Sequence, residues 1–447
     1  MTSTEPSGSD AWPSLSRSWA MVVLLTIAYI FSFVDRYILG LLIEPIKADL
    51  SLSDEQIGWL IGWAFAIFYA TMGLPLGWLV DRKRRTWIVA AGIAVWSLAT
   101  AASGLASKFW HLFLARMAVG AGEATLSPAA FSMIADSFPP DRRGKPIAFY
   151  SAALTLGAGL ASLIGSAVIS WAKRHDTVAV PLLGEMAPWQ ATFIAVGLPG
   201  VTLALVFLFL REPARRASEA EADKLAGNGL RDALQYVAAN GRLFGGFVAL
   251  VCVMTIIAYS QAFLPSTFNR IWGWEVEYYA LVNGLVMLVI GPLSVMGTGY
   301  LSDRWSQKGL RIAPFRLLMI GYGVMLASGV LPYFMPSAPL AYTMLAINTV
   351  GIAMVSAVGV TALLMITPAS IRGQMVALYY MVVSMAGLLL GPTTVGTLST
   401  RLLGEENIHY ALAAIPVIYG IVPALLLPGT YRLYKLHVEQ HRHDQGP

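Results

Sequence analysis

Apolar residues along the chain fall in runs of about 20 or more, separated by short polar stretches. Each run is long enough to cross a hydrocarbon layer of roughly 30 Å at about 1.5 Å per helical residue. The pattern predicts twelve spanning helices over 20–43, 56–80, 86–106, 110–135, 145–170, 189–210, 243–268, 279–301, 314–334, 339–366, 373–398 and 409–431. An even number puts both termini on one side. The long connection, 211–242, is rich in Arg, Ala and Glu and divides the runs six and six. The expected organisation is a disordered tail over 1–19, a six-helix bundle over 20–210, a linker over 211–242, a second bundle over 243–431 and a tail over 432–447. The tail before the first run carries one basic residue, Arg17, and lacks the cationic start of a secretory signal.

Composition sharpens this picture. Apolar residues make up 57% of the chain and charged residues 12%, against about 25% charge in soluble domains. So little charge could not cover a water-facing surface. In the short connections, twelve Lys and Arg lie on the side of the termini and six on the other. Positive charge is retained in the cytoplasm, so both termini are expected there, in a cell inner membrane. The net charge of +5 belongs to these loops and calls for no nucleic-acid partner. The lone cysteine, Cys252, lies inside a run, which excludes an intrachain disulfide and a Cys-based metal site. No metal or cofactor is expected. Trp19, Trp110, Trp171, Trp272 and Trp274 fall at span ends and read as interfacial anchors.

Two markers recur. Gly77-Trp-Leu-Val-Asp81-Arg82 closes the second run and Gly299-Tyr-Leu-Ser-Asp303-Arg304 the eighth, 222 residues later. Arg143-Gly144 opens the fifth and Arg372-Gly373 the eleventh, 229 residues later. Nearly equal offsets indicate a duplicated six-helix unit. The segment Gly77, Asp81, Arg82, Arg85 and the spacing Arg116-x-x-x-Gly120 resemble the major facilitator superfamily over essentially the whole chain. That resemblance implies an all-α fold of two pseudo-symmetric six-helix bundles and a rocking carrier with its substrate site between the halves. It also implies a cytoplasmic gate at Gly77, Asp81, Arg82, Arg85, Arg142, Arg143, Asp303 and Arg304. Gly77 would admit a close helix and Asp81 would accept hydrogen bonds from a helix N-terminus or an arginine. Lys83 and Arg84 read as topology signals.

Within the runs the charge audit leaves four residues, Asp35, Arg36, Arg116 and Glu123, all in the first half. A charge at mid-membrane costs at least about 2.5–3.5 kcal/mol, so each needs a partner or a wet cavity. Asp35 lies about 22 Å along the first helix and Arg116 about 9 Å into the antiparallel fourth, which puts them at a shared level. Arg116 is therefore available to Asp35, with Glu123 two turns deeper on the same face. One reading is a static ion network joining the two helices. The other is substrate or proton coupling, favoured because a purely structural pair is replaceable by packed apolar side chains.

Phe33-Val-Asp35-Arg36, Gly122-Glu123-Ala124 and Ala135-Asp136-x-Phe138 further resemble the Spinster branch. That branch implies export of lysophospholipids or phosphorylated sphingoid bases, with protons as the candidate coupling ion. Charges in one half and neutral groups such as Gln261, Asn283, Asn348 and Thr361 in the other suit an amphiphile, with Arg36 or Arg116 meeting a phosphate. A proton-coupled symporter of a small organic anion is the rival, and a carrier-derived ligand sensor a third reading. Enzyme chemistry is not expected: no nucleophile–His–acid arrangement and no P-loop occurs. Membrane lipids are the expected surroundings and a monomer the expected state. Gly157 with Gly159 and Gly165, and Gly387 with Gly391 and Gly396, read either as bending points or as close-packing sites.

Overall fold

The computed structural model describes residues 12–139, 142–181, 183–215, 229–310 and 312–443. The first four spans are α1 (Leu15–Leu41), α3 (Asp54–Ile61) with α4 (Trp63–Arg82), α5 (Arg85–Ser103), and α6 (Phe109–Glu123) with α7 (Leu126–Ser137). A short helix, α2 (Ile43–Leu50), bridges α1 and α3. Then come α8 (Gly144–Ala172), a hairpin of β1 (Val178–Val180) and β2 (Gly184–Met186), and α9 (Pro188–Phe209). The later helices are α10 (Gly229–Ala239), α11 (Gly241–Ser260), α12 (Leu264–Trp272), α13 (Val276–Gln307), α14 (Ala313–Val330), α15 (Ala338–Met365), α16 (Arg372–Leu398) and α17 (Ile408–His443).

Among the described residues, eleven helical stretches are long and apolar enough to cross a membrane. They match the expected spans except the fourth. That apolar run is interrupted at Ala124–Thr125 and yields helices of 15 and 12 residues. The Thr125 hydroxyl donates to the Gly122 carbonyl at 2.8 Å, as does its N–H at 3.2 Å, a side-chain substitute for a regular helical bond. The second span is also interrupted, at Gly62 (φ −89°, ψ −86°), after a first turn closed by a Ser53–Gln56 capping box.

The tails differ from expectation. Helix α1 begins at Leu15, and α17 continues through residues 432–443. Residues 1–11, 216–228 and 444–447 lie outside the described residues. Helix α10 fills the end of the linker; Tyr236 donates to the Ile366 carbonyl at 3.0 Å and lies 2.7 Å from His437 Nε2.

Backbone contacts divide the chain into two units. The first comprises residues up to 38 and 67–221, the second 39–66 and 222 onward. Residues 39–66, the ends of the first two helices, thus cluster with the second half of the sequence. In the first unit α5 packs on α9 and α6, with Trp96 fully buried. In the second, α14 packs on α15 and α11 on α16. Many large apolar side chains, among them Phe209, Met296 and Leu425, point outward, as a lipid-facing surface allows.

Glycine sets the closest crossings. A Cβ at Gly92 would lie 2.8 Å from the Gly122 carbonyl oxygen, and one at Gly122 as close to that of Gly92. The paired glycines of the fifth and eleventh spans are packing sites in this structure: Phe33 lies on Gly157, the α11 residues Thr255 and Tyr259 on Gly387, and the Ile256 carbonyl on Gly391. Overpacking costs about 1–3 kcal/mol. Gly92→Leu is expected to lower the thermal unfolding midpoint of detergent-purified protein, whereas Gly323→Ala, where a Cβ meets no atom within 4 Å, leaves it unchanged.

Candidate functional site

Helix α1 and helix α6 of the first unit bring the four membrane charges together. Arg36 donates from Nε to Glu123 Oε2 at 2.6 Å, and its Nη2 reaches the same oxygen. Arg116 turns both terminal nitrogens to the backbone carbonyl of Asp35, at 3.1 and 2.9 Å. Arg116 thus meets Asp35, as expected, but through the main-chain carbonyl rather than the carboxylate. The guanidinium meets the main chain of Asp35, and Glu123, expected to stand apart, takes Arg36.

The local sequence explains this arrangement. Glu123 is the last residue of α6, immediately before the Ala124–Thr125 interruption. Arg116 is seven residues earlier and buried on the same face. Asp35, Arg116 and Glu123 are all nine-tenths or more buried, while 17% of the Arg36 side chain remains exposed. Among the described residues, Asp35 Oδ1 and Glu123 Oε1 have no hydrogen-bond partner within 3.5 Å, and the Thr100 hydroxyl lies beside the Asp35 carboxyl. Two arginines and two carboxylates are formally neutral, yet each acid retains an oxygen able to take a proton or a donor.

Aromatic side chains line this charge cluster. The Arg36 guanidinium lies 5.8 Å from the Phe33 ring centroid and 5.1 Å from that of Tyr69. Tyr29 packs on Phe33 and stacks on Tyr150, whose ring meets Phe131 edge-on. Sequence reasoning passed over Tyr29, Tyr69 and Tyr150. Tyr29 alone carries a signal, its helical spacing with Phe33 and Tyr37 next to Asp35-Arg36, whereas Tyr69 and Tyr150 sit on α4 and α8, far from that motif in sequence.

The expected gate residues separate into several settings. A Cβ at Gly77 or Gly299 would meet no atom within 4 Å among the described residues. The Asp81 side chain lies outside the described residues. Arg82 covers its own helix at Trp78, 4.5 Å away. Arg85 is buried and binds inside the first unit, to Asp136, to Ser132 Oγ, Glu212 Oε1 and the Pro213 carbonyl, the last three each at 2.8 Å. Arg215 donates to the Val80 and Lys83 carbonyls, at 2.7 and 2.6 Å, where a cation complements the C-terminal end of α4. The Arg142 N–H donates to the Pro139 carbonyl at 2.9 Å. Arg143 Nε donates to the Phe138 carbonyl and Arg372 Nε to that of Thr367, each five residues back, at 2.9 and 3.4 Å. Asp303 and Arg304 lie on the last turns of α13, matching the place of Asp81 and Arg82 on α4.

A family model described as the Major Facilitator Superfamily matches residues 25–315. The chain belongs to the Major Facilitator Superfamily. Over 300 residues it is 32% identical to an MFS-type efflux pump of Mycolicibacterium smegmatis, covering 66% of this chain and 65% of the relative. It is 28% identical over 301 residues to a probable L-galactonate transporter of Escherichia coli, covering 64% and 62%. A further match, 32% identical over 213 residues, is to protein spinster homolog 1 of Homo sapiens, covering 47% of this chain and 38% of that protein. The chain therefore spans between 38% and 65% of the length of these three relatives. Among solved structures, a bacterial homologue of the human lysosomal transporter Spinster superposes with a TM-score of 0.77 at 23% identity, covering 96% of this chain and 98% of the other. Both the two-bundle helical fold and the Spinster resemblance agree with these findings, and fold and family are those of membrane transporters rather than enzymes.

Removing one partner of a buried ion pair costs about 3–5 kcal/mol because the other charge is left stranded. Arg36→Met is expected to lower the unfolding midpoint of purified protein, and Arg36→Met/Glu123→Gln to recover most of that loss, as read by intrinsic fluorescence on heating.

Proposed function

We propose that the protein is a secondary active transporter working by alternating access, carrying an amphiphilic lipid of the lysophospholipid or sphingoid-phosphate type with protons as coupling ion. The observation that carries this reading is the buried quartet Asp35, Arg36, Arg116 and Glu123, with an unpartnered oxygen on each acid and its arginine edge lined by aromatics. Glu123 holds Arg36 while ionised. A proton on Glu123 removes the counter-charge and leaves the guanidinium to an anionic headgroup, whose planar, multi-donor chemistry suits phosphate. Phe33, Tyr69 and Tyr29 offer the apolar body of the ligand a surface beside that charge. Arg116, committed to the Asp35 carbonyl, positions α1 against α6 in this scheme. The motifs shared with Spinster proteins, and the match to spinster homolog 1, support the lipid class.

A second reading, symport of a small organic anion through the same Arg36, is favoured by the likeness to the probable L-galactonate transporter. The cytoplasmic gate at Asp81, Arg82, Arg142 and Arg143, with Asp303 and Arg304 as its repeat, and cytoplasmic termini in an inner membrane belong to both readings.

Both are tested in proteoliposomes with a fluorescent lysophospholipid and an imposed pH gradient. Glu123→Gln and Asp35→Asn are expected to fold and to lose gradient-driven flux. Full transport by both variants would sink the coupling role. Native mass spectrometry separates the ligands: lipid retained by the parent and lost from Arg36→Ala supports the lipid reading, whereas a retained soluble acid supports the anion.

A further inference from the structure

Buried cations in both units are answered from within the fold. In the second unit the fully buried Asp54 carboxylate takes the fork of Arg270, at 2.7 and 2.8 Å, and Lys47 as well. In the first, Arg85 is held by Asp136 and Glu212. Arg17 and Arg211 differ. Both are exposed, and neither makes a hydrogen bond or ion pair among the described residues.

These two arginines line one cleft of about 250 Å³ in the first unit. Its walls are the start of α1, the end of α7 and residues 210–214, just past α9. The polar groups of the floor are already engaged. The Ser18 hydroxyl donates to the Ser137 carbonyl at 3.1 Å, the Ser137 hydroxyl to that of Met133 at 2.7 Å, and Arg85 Nη2 to that of Pro213 at 2.8 Å. Glu212, the one acid among the described lining residues, accepts from Arg85 Nε at 2.8 Å. Two like charges on one concave surface, with its acid taken, give a positive field that a cleft concentrates. Guanidinium forks match the oxygens of a phosphate.

The apolar neighbours decide what carries that phosphate. Leu15, two residues before Arg17, is 63% exposed, and Phe209, two residues before Arg211, is 88% exposed. Trp19 packs edge-on against Phe138 and Phe149, as befits an aromatic ring at the level of lipid headgroups. Apolar surface thus adjoins both cations, as acyl chain adjoins phosphate in a phospholipid. We propose that the cleft binds the phosphate of an anionic phospholipid of the surrounding leaflet between Arg17 and Arg211. The site is separate from the buried quartet: Arg17 stands about five turns before Arg36 on the continuous helix α1, roughly 28 Å along its axis. A headgroup held there ties the start of the first span to the chain leaving the sixth.

Native mass spectrometry of the purified full-length chain tests this, with phosphatidylglycerol, phosphatidylcholine and inorganic phosphate as probes. The parent is expected to retain phosphatidylglycerol in preference to phosphatidylcholine. Arg17→Gln and Arg211→Gln are each expected to lose about fivefold in apparent affinity for phosphatidylglycerol, and the double variant more than either. Arg17→Lys/Arg211→Lys, which keeps the charge without the fork, is expected to lose less than the glutamine pair. Arg36→Ala and Arg432→Gln, the latter an exposed cation of the second unit, are expected to leave the affinity unchanged. A loss in Arg432→Gln as large as in Arg17→Gln overturns the site, because the charge of the whole surface then holds the lipid. Unchanged affinity in both glutamine variants, a loss confined to Arg36→Ala, or displacement of the lipid by millimolar inorganic phosphate overturns it equally. Should a glutamine variant fail to fold, the lysine pair decides, and an unchanged affinity there rejects the cleft.

Discussion

In hydrocarbon there is no water for a charged side chain or an open backbone carbonyl to turn to, so every such group in a spanning helix must be answered by another part of the protein. The α1–α6 contact meets this demand twice on one face. Arg36 answers Glu123, and Arg116, two turns away, answers the Asp35 carbonyl. Helix α1 is held by side-chain charge at one level and by a main-chain acceptor at the other. The interruption after Glu123 belongs to the same arrangement, since Thr125 supplies the Gly122 carbonyl with the donor that a broken helix would otherwise withhold.

Duplication gives the two halves one scaffold but not one chemistry. The fifth and eleventh spans begin alike, each with an arginine donating to a carbonyl five residues upstream. The amide network around Asn348 in the second unit, however, is neutral. Gln261 donates to Asn348 Oδ1 at 2.9 Å, and Asn348 donates to the Met325 carbonyl at 2.8 Å and lies 3.3 Å from the Ser328 hydroxyl. A saturated amide network needs no counter-ion and gives a proton no site. In the first unit, by contrast, Asp35 Oδ1 and Glu123 Oε1 are buried with no hydrogen-bond partner among the described residues.

The fold was legible because length and hydropathy are local properties: a run of 20 apolar residues reads as a span whatever surrounds it. The breaks were not. Residues 110–135 are continuously apolar enough to read as one helix, and only Gly122, Thr125 and Pro128 hint that the hydrogen-bond ladder stops between α6 and α7. The quartet's membership was readable from a census of charges, but its pairing was not, because helix rotation decides whether Arg116 faces a carboxylate or a carbonyl. The Asp54 cluster was hidden for another reason. Its members fall at the edges of runs and pass for loop charges, and Asp54 meets Arg270 across 216 positions that no periodicity connects.

Helix α1 links the two charge networks covalently. It carries Asp35 and Arg36, leaves the first unit at residue 38, and passes through the Leu42 interruption to Glu44 and Lys47. Arg36 is therefore two residues from the border, and Glu44 and Lys47 lie within a few turns beyond it. The buried quartet is electrically neutral with both acids ionised, and one added proton gives it a net positive charge in a dry site.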